Sequence, residues 1–182
     1  MEYNFDIPLS SKDVKKLRVG DIVYLSGTLF TARDAAHKKM LDMEKNSISF
    51  DPSDMILYHC GPLMKKEKGG WVVVSAGPTT SSRMEFFEDR FIEKFGINFI
   101  IGKGDMGKNT QKALQKYICI YASYTGGAGA LAADSIKKVK NVYYLDELGM
   151  AEAVWIFEVE NFGPLIVAMD SHGNSIYKGE KK

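Results

Sequence analysis

Three short segments combine a cationic side chain with glycine or other small residues, each directly after a stretch that predicts a strand. The segments are Thr31-Ala32-Arg33, Gly77-Pro78-Thr79-Thr80-Ser81-Ser82-Arg83 and Gly102-Lys103-Gly104. The planar guanidinium of an arginine matches a carboxylate at two points, whereas a lysine supplies a compact point charge. If the three cations converge, they would bind a small molecule that carries more than one carboxylate.

Each of these features also has a structural explanation that involves no ligand. A single arginine or lysine is most often a solvated surface charge, and Thr79 or Thr80 could cap the helix that follows. The stretch Gly102–Gly107 resembles part of a phosphate loop but lacks its Gly-Lys-Ser/Thr ending, which argues against nucleotide binding. The stretch Gly126–Gly129 is expected to serve close backbone packing first. The three cations together are harder to dismiss than any one of them.

The histidines and cysteines predict neither a metal site nor a disulfide. His59 follows a predicted strand and His172 lies in a predicted turn, and neither has further ligands at the spacing of a zinc site. Cys60 and Cys119 are too few for a disulfide framework and form no Cys-x-x-Cys pair. They favour a reducing, cytoplasmic setting. We therefore expect that the chain itself binds no metal.

The composition is that of an ordinary globular protein. Of 182 residues, 45% are hydrophobic and 26% are charged, which predicts one domain over residues 1–182. A formal net charge of +1 excludes a broad basic surface for nucleic acid. The longest apolar runs, such as Ile118–Ala122 and Leu165–Met169, are too short to span a membrane. No secretory signal is expected at Met1–Leu9, where charges interrupt the apolar residues.

Strands and helices alternate around the three cations. We predict strands near 21–27, 55–59, 71–76, 97–101, 117–122, 141–144, 153–160 and 164–170, and helices near 14–17, 35–41, 84–95 and 110–116. An alanine-rich helix is expected to start near Ala130. The alternation from Ala76 to Ala133 favours a parallel α/β organisation, and the strand-rich flanks suggest a second β layer. Ligands gather beyond the carboxyl ends of parallel strands, where helix amino termini also favour anions.

Five sequence blocks resemble the β subunit of class I fumarate hydratases and L-tartrate dehydratases. Three are the segments Ser26–His37, Ser75–Met84 and Ile101–Gly104, which carry the cations. The other two are Glu147–Trp155 and Phe162–Asn174. The likeness runs from about Val19 to Ile176, with the blocks in the order of the family. One departure is Ala151, where the family has proline, and we expect this residue to lie away from the cationic segments.

The resemblance implies a swivelling β/β/α fold and a set of substrate-binding residues. In the family, residues at the positions of Arg33, Thr79, Arg83 and Lys103 reach the substrate, and Thr79 lies where it could take part in proton transfer. The family's [4Fe–4S] cluster is held by three cysteines of the α subunit. The resemblance therefore implies that neither cysteine of this chain ligates the cluster.

The resemblance also implies a reaction and a partner. We expect the chain to be the β subunit of a fumarate hydratase, a hydro-lyase, that is inactive without its α subunit and forms an α2β2-type assembly. L-tartrate dehydratase is the alternative in the same reaction class. A non-catalytic swivelling domain that binds a carboxylate for regulation is an alternative from another class, and a phosphate-binding module is a poorer one.

Overall fold

The computed structural model describes residues 1–125 and 127–177. Gly126 and the lysine-rich stretch 178–182, which the sequence predicts to be a frayed tail, lie outside these ranges. The strands are β1 Glu2–Asp6, β2 Ile22–Thr31, β3 Ile56–Tyr58, β4 Leu63–Glu67, β5 Gly70–Ser75, β6 Phe99–Gly102, β7 Ile120–Tyr124, β8 Ile136–Tyr143 and β9 Val154–Met169. The α-helices are α1 Ser11–Lys16, α2 Asp34–Asp42, α3 Glu85–Phe95, α4 Lys108–Tyr117, α5 Gly129–Ser135 and α6 Leu145–Leu148. A 3-10 turn at Ser81–Met84 leads directly into α3.

The main sheet has seven strands and closes on itself. β2, β3, β6 and β7 pair in parallel in that order, and β9 runs antiparallel to both β7 and β2. These pairings form a closed circuit of five strands. β1 adds to β2 in parallel, and β8 adds to β9 in antiparallel. The predicted α/β class is confirmed, and the carboxyl ends of four parallel strands lie at one edge.

Side chains alternate between two hydrophobic cores on the two faces of this sheet. Tyr58, Ile101 and Trp155 point into one core, which α1 and α5 also line. The intervening residues point into the other core, against α2, α3 and α4. Helix α3 shows why these helices form here, since Phe91 and Phe95 are spaced to lie on one buried face. The sequence predicts this helix with Phe87, Phe91 and Ile92 on one face, and of these Phe91 and Ile92 are buried.

The predicted strand at 71–76 does not join the parallel strands. Its counterpart β5 pairs only with β4, in an antiparallel hairpin that the sequence did not predict. This hairpin packs against α5 through a close backbone approach. Ala76 N–H donates to the Gly129 carbonyl at 3.1 Å, and a Cβ on Gly129 would lie 2.4 Å from Ser75 Oγ. The expectation of close packing is thus confirmed for Gly129.

Two further differences concern the late strands. The expected break before Pro164 is absent, because a single strand of 16 residues, β9, runs through it. The ladder with β2 pairs Phe162 with Leu25 and Leu165 with Val23, so that Gly163 and Pro164 fall in an irregular step. Proline has no backbone N–H to donate, but no hydrogen bond of the ladder with β2 is lost, because Pro164 has no paired residue there. The other difference is that β8 starts at residue 136, which leaves the alanine-rich helix only seven residues. Among the described helices, none is long and apolar enough to cross a membrane.

Candidate functional site

Two of the three predicted cations follow directly from parallel strands. Arg33 comes two residues after β2 and is the residue that precedes the first turn of α2. Lys103 follows the last residue of β6. Between β2 and β6 lies β3, whose end continues into His59 and Cys60. The sheet therefore holds the backbone of Arg33 and that of Lys103 at the same edge, one strand apart.

The third cationic segment crosses the ends of β3 and β6. Thr79 N–H donates to the His59 carbonyl at 2.8 Å, and Ser81 N–H donates to the Lys103 carbonyl at 2.9 Å. Isolated bridges also pair Pro78 with Cys60. These backbone contacts place the half-buried Thr79 between the ends of the two strands. The structure thus brings all three predicted segments together. The third segment differs from the other two because the strand before it, β5, belongs to the hairpin and not to the parallel strands.

Arg83 is tied to the first cationic segment by an ion pair. Its Nε donates to Asp34 Oδ1 at 3.2 Å, and its Nη2 lies 3.1 Å from Asp34 Oδ2. The Arg83 side chain remains 54% exposed, so this pair contributes little to stability. Lys103 has no ion-pair partner in residues 1–125 and 127–177. Arg83 is therefore exposed although it is paired, and Lys103 is half-buried and has no such pair within those residues.

Arg33 is the most enclosed of the cations. Its Nε lies 3.2 Å from Glu152 Oε1, and its side chain is 21% exposed. The guanidinium crosses the backbone of Gly61, where a Cβ would lie 2.7 Å from Arg33 Nη1 and 2.7 Å from the Ala151 carbonyl. The expectation that Ala151 lies away from the cationic segments is therefore wrong. The block that contains it supplies a carboxylate to Arg33.

Two helix amino termini at this edge are already occupied by carboxylates of the chain. Glu85 accepts hydrogen bonds from the amides of Gly107 and Asn109 at the start of α4. Glu152 accepts from Ala35 N–H at the start of α2, at 3.0 Å. Each of these termini is therefore partly occupied by a carboxylate of the chain itself, which leaves fewer N–H groups for a ligand.

Beneath the cationic segments lies a fully buried cluster that the sequence does not predict. Glu88 Oε2 lies 3.1 Å from His59 Nε2 and 3.4 Å from His37 Nε2, and all three side chains are 0% exposed. Burial raises the pKa of the Glu88 carboxyl, but the two imidazoles outweigh burial and hold it below its ordinary value. Burial lowers the pKa of His59. No spacing rule links these residues, because they come from α2, the end of β3 and α3.

The two cysteines are poorly suited to ligate a metal cluster. Cys60 and Cys119 are both fully buried, and burial raises the pKa of each thiol. A metal ligand must be a thiolate, which this environment disfavours. The residues of this chain therefore do not fit an iron–sulfur cluster.

Comparison with known proteins gives a consistent family. The family model described as Fumarase C-terminus matches residues 2–180. The chain is 56% identical over 184 residues to a Methanocaldococcus jannaschii protein that is provisionally named L(+)-tartrate dehydratase subunit beta, covering 100% of this chain and 94% of that protein. It is 41% identical over 175 residues to the L(+)-tartrate dehydratase subunit beta of Escherichia coli K12, covering 96% and 86%.

A third relative carries the same region within a longer protein. The chain is 42% identical over 176 residues to a Geobacillus stearothermophilus protein provisionally named fumarate hydratase class I. The match covers 96% of this chain but 33% of that protein. With a family model that spans nearly every residue and relatives well above 30% identity, this chain belongs to the Fumarase C-terminus family.

Proposed function

We propose that this chain is the β subunit of a class I hydro-lyase that hydrates fumarate reversibly to (S)-malate. In this proposal the active site is shared with an α subunit, and Arg33, Thr79, Arg83 and Lys103 bind the substrate. The observation that carries the proposal is the meeting of three cationic segments, distant in sequence, at one sheet edge. The relatives named as β subunits of a dehydratase support the need for an α subunit.

The proposed roles follow from the charge of the substrate. Fumarate and malate are dianions, and removal of a proton beside a carboxylate builds further negative charge on that group. Arg83 and Lys103 would stabilise this charge as it develops, and Arg33 would fix the orientation of the second carboxylate. Thr79 would lie beside the reacting carbon. Its hydroxyl would need a cationic neighbour or an acid of the partner to take part in proton transfer.

The remaining chemistry would come from the partner. We propose that the α subunit holds a [4Fe–4S] cluster, whose open iron supplies Lewis-acid activation of the hydroxyl. The same proposal includes a swivelling β/β/α domain over residues 1–182, an α2β2-type assembly and a cytoplasmic setting in which the two cysteines stay reduced.

Dehydration of L-tartrate is the second candidate function. The names of the Methanocaldococcus jannaschii and Escherichia coli relatives favour it. Tartrate differs from malate by one hydroxyl, and the same three cations would serve its two carboxylates. The groups that sense the extra hydroxyl would then lie on the α subunit.

Reconstitution tests the proposed function. The purified chain alone should show no visible iron–sulfur absorbance and no turnover of fumarate or L-tartrate. Anaerobic mixing with the α subunit of the same organism should produce hydratase activity, and the ratio of kcat/KM for the two substrates assigns the reaction. Turnover by the isolated chain, or a folded complex that acts on neither substrate, would contradict the proposal.

Gly61→Ala should test the placement of Arg33 without removing its charge. The added Cβ would lie 2.7–2.8 Å from the Arg33 side chain and 2.7 Å from a backbone carbonyl that cannot yield easily. The guanidinium must shift, so we expect kcat/KM of the reconstituted complex to fall about 10-fold or more. Gly69→Ala is the matched control, since a Cβ there meets nothing within 4 Å. Equal activity of the two variants would show that the position of Arg33 is unimportant.

A further inference from the structure

The buried cluster of His37, His59 and Glu88, which we call the HEH cluster, has the dimensions of a metal site. The two Nε2 atoms lie 3.4 Å and 3.1 Å from Glu88 Oε2, and the three ligand atoms all lie within 4.8 Å of one another. Ligands bonded to one tetrahedral zinc at about 2.0–2.1 Å are separated by about 3.3 Å. The spacing of the carboxylate oxygen to each nitrogen matches this edge length.

The cluster is not explained by hydrogen bonds among its own members. Neither histidine Nε2 and neither carboxylate oxygen of Glu88 has an aligned hydrogen-bond partner within the described residues, although all are buried. Buried polar atoms are rarely left in this state without an unseen ion or water.

The hydrogen bond on the outer side of His37 leaves its Nε2 free to bind a cation, and the one on the outer side of His59 is compatible with the same tautomer. His37 Nδ1 lies 2.8 Å from the Arg33 carbonyl, which can only accept, so the proton is on Nδ1. His59 Nδ1 lies 2.9 Å from Ser81 Oγ, and Ser81 Oγ also accepts from Lys103 N–H at 3.1 Å. Metal-bound histidines usually donate their other ring nitrogen to a carbonyl or oxygen in this way.

The burial of the cluster also favours a bound ion. The three side chains are fully removed from water, with one carboxylate oxygen set between two imidazole nitrogens. Buried polar groups are unfavourable unless a partner satisfies them. From these observations we infer that His37, His59 and Glu88 form a structural site for one divalent transition-metal ion, of the class of zinc. Two nitrogens and one carboxylate oxygen are a ligand set that suits zinc.

Such an ion would help to hold the backbone of the residues that are proposed to bind the substrate. The Arg33 backbone is joined to the cluster through His37, and the Lys103 backbone is joined to it through Ser81 and His59. A bound metal would therefore fix the starting points of two cationic side chains without touching the substrate. The inference revises the expectation that this chain binds no metal, and it stands independently of which reaction the complex catalyses.

Metal analysis of the untagged, full-length chain tests the inference. Because the site is enclosed, the chain should be refolded from denaturant with and without added Zn²⁺, then freed of excess ion and analysed for metal. We expect about one zinc per chain and a rise in Tm of about 5 °C or more. Refolding with Co²⁺ should give the visible absorption of a low-symmetry site, and X-ray absorption should show nitrogen and oxygen neighbours at about 2.0–2.1 Å.

Two variants locate the ion. Glu88→Gln keeps the size of the side chain but removes the anionic ligand, so it should lose the zinc and the rise in Tm. His172→Gln removes the only other histidine, which is exposed, and should retain both. If the refolded wild-type chain held less than about a tenth of an equivalent of zinc with no change in Tm, a shared proton would occupy the cluster and the inference would be wrong. Sulfur neighbours, or equal binding by Glu88→Gln, would equally overturn it.

Discussion

Replacing Arg83 by alanine should lower kcat/KM of the reconstituted complex by about 100-fold or more while leaving the fold intact. The guanidinium is more than half exposed at the sheet edge, so its loss removes little from stability. Loss of one group aimed at developing charge commonly lowers turnover by a factor of this size. The measurement is kcat/KM for fumarate and for L-tartrate, with Tm and α-subunit binding measured on the same samples.

Arg90→Ala is the matched control for this experiment. Arg90 is also an exposed arginine and lies on α3, just after the 3-10 turn that carries Arg83, and its side chain donates to the Phe86 carbonyl rather than to the cationic segments. We expect its kcat/KM to stay within about twofold of the parent chain. Lys103→Arg should also impair turnover, because a longer, forked cation does not replace a point charge in a fitted position. Near-normal kcat/KM in a folded, partner-bound Arg83→Ala complex would remove Arg83 from the site.

Gly102→Ala should be the most destabilising single methyl group that can be added at this edge. A Cβ at Gly102 would lie 1.8 Å from Ser81 Oγ, 3.0 Å from Tyr121 Cε2 and 3.1 Å from His59 Nδ1. All three neighbours are fully buried and have no room to move. We expect a loss of about 3 kcal/mol, which lowers Tm by about 10 °C for a chain of this size. Thermal unfolding followed by circular dichroism measures the effect.

A second substitution can show that the predicted clash is the cause. Ser81→Ala removes the hydroxyl that the new Cβ would meet, so the double variant should recover part of the Tm lost by Gly102→Ala alone. Residues in direct contact are expected to be non-additive in this way. Gly69→Ala, which meets nothing within 4 Å, should melt near the parent temperature. A Gly102→Ala chain that melts within about 2 °C of the parent would refute the expected clash.

Gly102 shows which features of the site the sequence predicts and which it does not. The motif Gly102-Lys103-Gly104 combines a lysine with glycines after an apolar stretch, and this pattern correctly predicts that the lysine follows a strand. The reason for its first glycine is the close approach of Ser81, which comes from another segment. The turn at Arg33 could be predicted because β-branched residues give way abruptly to helix formers. Local patterns of this kind fix elements and their ends.

The carboxylates of the site could not be predicted, because each is defined by a distant partner. Glu88 sits in a helix with charged neighbours, where a glutamate is ordinarily solvated. Only the fold reveals that it faces two histidines. Glu152 directly follows Ala151, a residue expected to lie away from the cationic segments, yet it pairs with Arg33. The two strands predicted at 153–160 and 164–170 are the single strand β9 for a similar reason. A bulge opposite β2, a partner distant in sequence, accommodates Pro164.

The closed circuit of strands has a consequence for how the chain acquires its structure. β9 follows the other described strands in the chain, and it must pair with β2, which is far away in sequence. Ile166, for example, pairs with Ile22. Until β9 has been synthesised, β2 and β7 each expose a hydrogen-bonding edge to the solvent or to other nascent chains. Contacts this distant in sequence slow folding, because a long loop must be closed before they form. Newly made chains should therefore depend on chaperones more than helical proteins of the same length.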